Sequence, residues 1–269
     1  MPAVHGAKIA VGGKGGVGKT TVCAILSQLF AESGHDVLAI DADPDVNLAS
    51  AFGIPNEQSP EPLIKMKELV AERTGTGKDT LGAYFKLNPK VGDLPEEYWR
   101  ETNGLKLLVL GAITQAGGGC ACPEGAFLKA LLTHTILQRK EVVMVDLAAG
   151  VEFMGRASVQ GIDALVLVVE PGARSIETAN KMAQMARKLG IGLVGAIANK
   201  VAEPSQGEFI ESKLKDAVLL GTLKYSRPLQ EADLKRSAVF GVDAEVTQAL
   251  KRVKNRLAEL IAESARRDS

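Results

Sequence analysis

Residues Gly13-Lys14-Gly15-Gly16-Val17-Gly18-Lys19-Thr20-Thr21 satisfy the spacing G-x-x-x-x-G-K-[ST], directly after an apolar run from Lys8 to Val11 and at the start of an amphipathic one from Lys19 to Ser33. Strand, glycine-rich turn and helix in that order is the context in which this motif binds phosphate. The glycines let successive backbone N–H groups close around phosphate oxygens, and the helix beginning near Gly18 turns the positive end of its dipole to the same anion. On this reading Gly13, Gly15, Gly16, Val17 and Gly18 cradle the phosphates. Lys19 reaches the β and γ phosphates, Thr20 holds magnesium and Thr21 binds the α phosphate. The expected cofactors are ATP or ADP with magnesium.

Short apolar runs of the same kind recur at Val37 to Ile40, Leu105 to Leu110, Val142 to Val145, Ala164 to Val169, Leu193 to Ala198 and Val218 to Leu220. They read as strands buried on both faces. Helical patterns lie between them, including Glu124 to Arg139, Ser175 to Leu189 and Gln206 to Leu214, with Gly34 and Gly190 placed as helix stops. This alternation predicts an α/β fold, a mostly parallel twisted sheet of about seven or eight strands with helices on both faces, of the P-loop NTPase class. One domain over residues 1–269 is expected. An insertion at about 54–104 breaks the rhythm with Pro55, Pro60, Pro62, Pro89 and Pro95; it reads either as a variable surface loop or as a partner-recognition element. The last helix, about Ala244 to Arg266, is expected to dock on the core, because Glu245, Glu259 and Glu263 interrupt the basic face that an interfacial membrane helix needs.

A chain of 269 residues that is 46% hydrophobic and 24% charged has ample material for a buried core. Its formal charge of zero gives no broad attraction to nucleic acid or to an anionic membrane. The N-terminus lacks the pattern of a secretory signal and no apolar run reaches the length of a membrane span. Three cysteines, Cys23, Cys120 and Cys122, are too few and too uneven for a disulfide framework. A cytoplasmic protein, with no nucleic-acid partner and no stable membrane insertion, is the expectation.

Two strands end in carboxylates. Asp41-Ala42-Asp43-Pro44-Asp45 and Asp146 fall at the C-terminal edge of the sheet, where ligands of such folds bind. Acids at that edge stand where a bound phosphate and its counter-ion would lie; capping of the next helix is the competing role for the first group. Asn199-Lys200, at the end of another strand, offers an amide donor and acceptor to a base edge. Gly117-Gly118-Gly119-Cys120-Ala121-Cys122 sets two soft ligands one residue apart in a glycine-rich loop. Two thiolates do not complete a zinc or nickel site, whereas a symmetric dimer supplies four. A reduced ordinary loop or a reversible disulfide is the alternative. Cys23, among apolar neighbours in the first helix, reads as a core residue.

Lys14, a second lysine just after the first glycine, makes the loop resemble that of the deviant Walker A ATPases, which include the nitrogenase iron protein, MinD, ParA-type partition proteins and arsenite-pump ATPases. The resemblance implies that Lys14 crosses to the nucleotide of a second subunit in an ATP-controlled homodimer. It makes Asp43 the first switch aspartate, which orients the attacking water with Asp41 near magnesium, and Asp146, in the magnesium shell, with Leu147-Ala148-Ala149-Gly150 the Walker B and second switch; it also supports the base contact of Asn199 and Lys200. In the iron protein a second-switch cysteine shares an iron–sulfur cluster, but Asp146 to Arg156 contains none. The wider pattern, with Pro62 to Glu68, Leu87 to Val91, the Cys-x-Cys loop and Glu170-Pro171, resembles the CooC-type ATPases that assist nickel insertion into carbon-monoxide dehydrogenase, together with their relatives serving acetyl-CoA synthase. That resemblance implies nickel, with zinc possible in the same site, bound by Cys120 and Cys122 across a dimer, and one of those enzymes as client. The other classes to be weighed are a MinD- or ParA-like switch binding membrane or DNA, and an iron–sulfur scaffold or reductase.

Overall fold

The computed structural model describes residues 6–43, 45–66, 98–111, 141–149 and 161–267. Within them the strands are β1 (Ala7–Gly13), β2 (Asp36–Ala42), β3 (Trp99–Thr102), β4 (Leu105–Val109), β5 (Glu141–Leu147), β6 (Ala164–Val169), β7 (Leu193–Val201) and β8 (Val218–Lys224). The helices are α1 (Lys19–Glu32), α2 (Leu48–Ala51), α3 (Ala173–Lys188), α4 (Pro204–Lys213), α5 (Arg227–Leu234) and α6 (Ala244–Arg267). One eight-stranded sheet runs in the order β3-β4-β2-β5-β1-β6-β7-β8. Every neighbouring pair is parallel except β3 with β4, which pair antiparallel from Trp99 opposite Leu108 to Thr102 opposite Leu105.

The fold class expected from the apolar runs is the one observed. β1, β5 and β6 are buried almost end to end, as strands covered on both faces must be. One face of the sheet packs against α1, α5 and α6 through Val22, Leu26, Phe30, Leu250 and Leu257. The other packs against α3 and α4 through Ile176, Met182, Ala183 and Ile210. α3 buries Ile176, Ala179, Met182, Ala183 and Ala186, a stripe at helical spacing. α1 and α3 reverse at Gly34 and Gly190, where the sequence placed their stops; His35 N–H reaches Phe30 O at 3.3 Å and Ile191 N–H reaches Ala186 O at 3.0 Å.

α6 docks on the core as expected. Val246, Leu250, Val253, Leu257 and Ile261 are all buried, and the largely buried Lys254 sends its ammonium to Ser33 Oγ at 2.5 Å and over the Phe30 ring at 5.8 Å. Among the described residues no helix is long and apolar enough to cross a membrane.

Three features depart from the sequence reading. Trp99–Thr102, counted with the insertion, is a strand of the sheet; its alternation is obscured because Arg100 and Glu101 are both exposed on an edge. β8 is not buried on both faces, since it is an edge strand with Val218, Thr222 and Lys224 exposed. α2 and α5 were missed: α2 has one turn, and α5 starts on Arg227-Pro228 with Ser226 Oγ accepting the Leu229 N–H, a capping signal overlooked in the sequence. The helix expected over Glu124 to Arg139, most of the insertion, Cys120, Cys122 and Gly150 to Arg156 lie outside the described residues.

Phe30, 1% exposed and in edge-to-face contact with His35, joins α1 to α6. Phe30→Ala should cost about 3–5 kcal/mol of unfolding free energy, measured by urea denaturation. A loss below about 1 kcal/mol would contradict this account of how the two helices are held.

Candidate nucleotide-binding site

β1 delivers the chain into the glycine loop at the C-terminal edge of the sheet, and α1 leaves it. Gly13 and Gly18 are fixed by geometry. At Gly13 (φ 146°) an added Cβ would lie 2.5 Å from Val168 O, and at Gly18 (φ 95°) it would lie 2.6 Å from Asn199 Nδ2. The backbone clash forbids a side chain at Gly13, whereas at Gly18 a methyl group would push the Asn199 amide aside, and the positive φ favours glycine at both positions. Gly18 is also the N-cap of α1 and contributes no side-chain acceptor, so the first N–H groups of the helix face the cleft without a side-chain cap from it.

The far end of β7 grips this loop from behind. Asn199 donates its amide to Val17 O at 2.8 Å and Lys200 donates its ammonium to Gly16 O at 2.5 Å. Tying back two carbonyls leaves the cleft side of the loop to N–H groups, the arrangement an anion requires. Val17 is fully buried, so its side chain anchors the loop to the core. Asn199 and Lys200, expected as base-reading residues, line the same cleft but also shape the loop. Lys14 projects outward, 41% exposed, with its ammonium 3.6 Å from Glu170; the same carboxylate lies 3.9 Å from Lys200. So exposed a pair is worth about 1 kcal/mol or less, and Lys14 can leave it cheaply.

The carboxylates divide into two kinds. Asp41 and Asp146 are fully buried and face each other in register across β2 and β5. Asp146 accepts the Thr20 hydroxyl at 2.6 Å through Oδ2, while its Oδ1 is buried and has no protein partner among the described residues. Asp41 accepts the N–H of Leu48 at 2.9 Å and of Asp43 at 3.1 Å, so it fastens the loop after β2 and caps α2. Asp43 reaches the cleft, and its Oδ1 accepts the Asp45 N–H at 3.0 Å. Burial, with the Asp41 charge second, pushes the Asp146 carboxyl up to about 8; burial lifts Asp41 to about 6 against the N–H bonds it accepts. The orphaned Asp146 oxygen, the Thr20 hydroxyl and the nearby Asp43 are hard oxygen donors that suit magnesium. Cys23, buried beside these acids, has its thiol pushed well up by burial and by their charges, as befits a core residue.

The cleft holds about 600 Å³ and is lined by Gly15, Gly16, Gly18, Lys19, Thr20 and Thr21 at one end. Its other wall is the β8–α5 junction, with Tyr225, Ser226, Leu229 and Gln230, together with Arg236. The sequence reading missed this wall. Tyr225 donates its hydroxyl to Gln230, and Ser226 both caps α5 and bonds Asp243, so the wall is built by local capping chemistry with no motif of its own.

Fold and site together define a P-loop ATPase. The model of the CobQ/CobB/MinD/ParA nucleotide-binding domain matches residues 8–239, and the chain belongs to that family. It is 46% identical over 228 residues to the carbon monoxide dehydrogenase accessory protein CooC of Rhodospirillum rubrum, covering 84% of this chain and 86% of the relative. It is 36% identical to an uncharacterized ATP-binding protein of Methanocaldococcus jannaschii, covering 94% and 98%. Among solved structures it resembles the septum site-determining protein MinD of Pyrococcus horikoshii complexed with Mg-ADP, with a TM-score of 0.69 at 18% identity over 96% of this chain and 98% of that one.

Both buried acids bind a proton more tightly folded than unfolded. Their contribution to stability is greatest below about pH 4 and is lost as pH rises, up to about 6 for Asp41 and about 8 for Asp146. Metal-free, nucleotide-free protein should thus grow less stable to urea between about pH 5 and pH 8, and Asp146→Asn should flatten the upper part of that decline. An identical slope in wild type and variant would overturn this assignment.

Proposed function

We propose that this chain is an ATP-switched homodimer that binds nickel and assists its insertion into carbon-monoxide dehydrogenase or acetyl-CoA synthase. The observation that carries the reading is the 46% identity, over 84% of the chain, to an accessory protein of carbon-monoxide dehydrogenase. The Cys-x-Cys pair of Cys120 and Cys122 supports it: two copies supply four thiolates, a set suited to nickel or zinc.

In this reading residues 1–269 act as one ATPase domain. Backbone N–H groups of Gly13 to Gly18 and the start of α1 bind the phosphates, with Thr21 at the α phosphate. Lys19, largely buried at the head of α1, meets the β and γ phosphates. Thr20 and Asp146 would hold magnesium directly or through water, with Asp41 and Asp43 in the surrounding shell; an ion held there would supply positive charge against that of the phosphates. Asp43 orients a water in line with the γ phosphorus. Attack forms the new P–O bond, breaks the bond to the β phosphate oxygen, and yields ADP and inorganic phosphate. Lys14 leaves Glu170 and contacts the nucleotide of the other subunit, which ties ATP binding to dimer closure. The adenine end lies between Asn199, Lys200 and the Tyr225–Gln230 wall, which line one cleft.

Anaerobic metal titration with molecular mass measured in each nucleotide state tests the dimer and the cysteines together. Wild type should bind roughly one nickel or zinc ion per two chains, and Cys120→Ala/Cys122→Ala should lose that binding while retaining ATP hydrolysis. Equal affinity and stoichiometry in the double variant would remove the cysteines from the site. Lys14→Ala should bind nucleotide yet show at least about a tenfold weaker ATP-dependent dimer. A dimer of unchanged affinity would contradict the trans contact.

A further inference from the structure

β8 closes one side of the sheet and has β7 as its single strand neighbour among the described residues. Beyond it lies a groove of about 390 Å³ between α4 and α6, bordered by Thr222 and Lys224 of the strand. Tyr225, just past β8, sends its N–H inward to Val201 O at 3.2 Å. By the two-residue alternation of a strand, Lys224 and Thr222 turn their backbone N–H and C=O groups outward, into the groove. Exposed apolar side chains stand at both ends of the strand, Val218 at 49% and Tyr225 at 51%.

The rim is acidic. Glu203, Glu208 and Glu211 line the groove from the α4 side, and Glu245 lines it from α6. Lys224 is already paired with Glu245 at 2.6 Å, which leaves Arg252 as the other cation of the lining against three carboxylates. A second copy of this chain is a poor occupant, because edge-to-edge pairing would bring two such rims together, and like charges across a pairing cost energy.

We propose that the outer edge of β8, unpaired among the described residues, is a docking site for an extended, lysine- or arginine-rich segment of a partner protein, which adds as a further strand. Main-chain bonds to Thr222 and Lys224 supply the pairing, and Glu203, Glu208 and Glu211 select for basic side chains. This surface is built from β8, α4 and α6 and does not depend on the metal reading of Cys120 and Cys122.

The probe is a blocked synthetic peptide of alternating Lys and Val, with a Glu and Val counterpart as control, titrated into the full chain with amide hydrogen exchange as second readout. The Lys and Val peptide should bind in a salt-sensitive manner and slow exchange across Val218–Lys224. Affinity should fall at least about tenfold in Thr222→Pro, which removes one outward N–H at an edge position that tolerates proline, and equally in Glu208→Lys/Glu211→Lys. ATP hydrolysis and thermal melting of both variants should match wild type and show that each still folds. No binding, equal binding of the acidic peptide, protection outside β8, unchanged affinity in the charge-reversed variant, or self-association through β8 would each overturn the proposal.

Discussion

The structure depends on the grip that the end of β7 exerts on the glycine loop. Asn199 and Lys200 bond the carbonyls of Val17 and Gly16, and Gly18 lies so close to Asn199 that a methyl group there would collide with it. Because β7 is held by β6 and β6 by β1, the loop and its clamp are parts of one parallel sheet. The shape of the glycine loop is therefore set by long-range strand register as well as by the nine residues of its own sequence. A loop preshaped in this way loses less conformational entropy when an anion arrives.

Behind the loop stands an arrangement that destabilises the metal-free fold. Asp41 and Asp146 meet across β2 and β5 with no solvent to screen them, and burial raises both pKa values. Asp41 recovers part of that cost through the N–H groups of Leu48 and Asp43, so it serves the loop that carries Asp43. Asp146 keeps one oxygen without a protein partner beside the Thr20 hydroxyl. A carboxylate held in this manner gains most from a divalent cation, and a cation bound with nucleotide would repay the strain of its burial.

Much of this was legible in the sequence, for physical reasons that differ by element. Runs such as Val142 to Val145 and Ala164 to Val169 are apolar at every position because both faces are covered, and they marked their strands to within a few residues. The motif at Gly13 to Thr21 announced the loop because its backbone geometry tolerates few other residues. β3 gave no such signal, since an edge strand with Arg100 and Glu101 exposed looks like a polar turn. The clamp was also hidden: Asn199 and Lys200 are 182 and 184 residues from their loop partners, and no local pattern reports so distant a contact. The wall from Tyr225 to Gln230 escaped for a related reason, being assembled by capping at Ser226 and Asp243.

Calorimetric titration of ATP, ADP and AMP, each with magnesium, into wild type and Gly18→Ala tests the preshaped phosphate cradle most directly. The account predicts that ATP and ADP bind, that AMP, lacking the β phosphate, binds at least about a hundredfold more weakly, and that the Gly18→Ala protein folds but loses ATP and ADP binding. AMP bound as tightly as ADP, or Gly18→Ala binding ATP as wild type does, would contradict it.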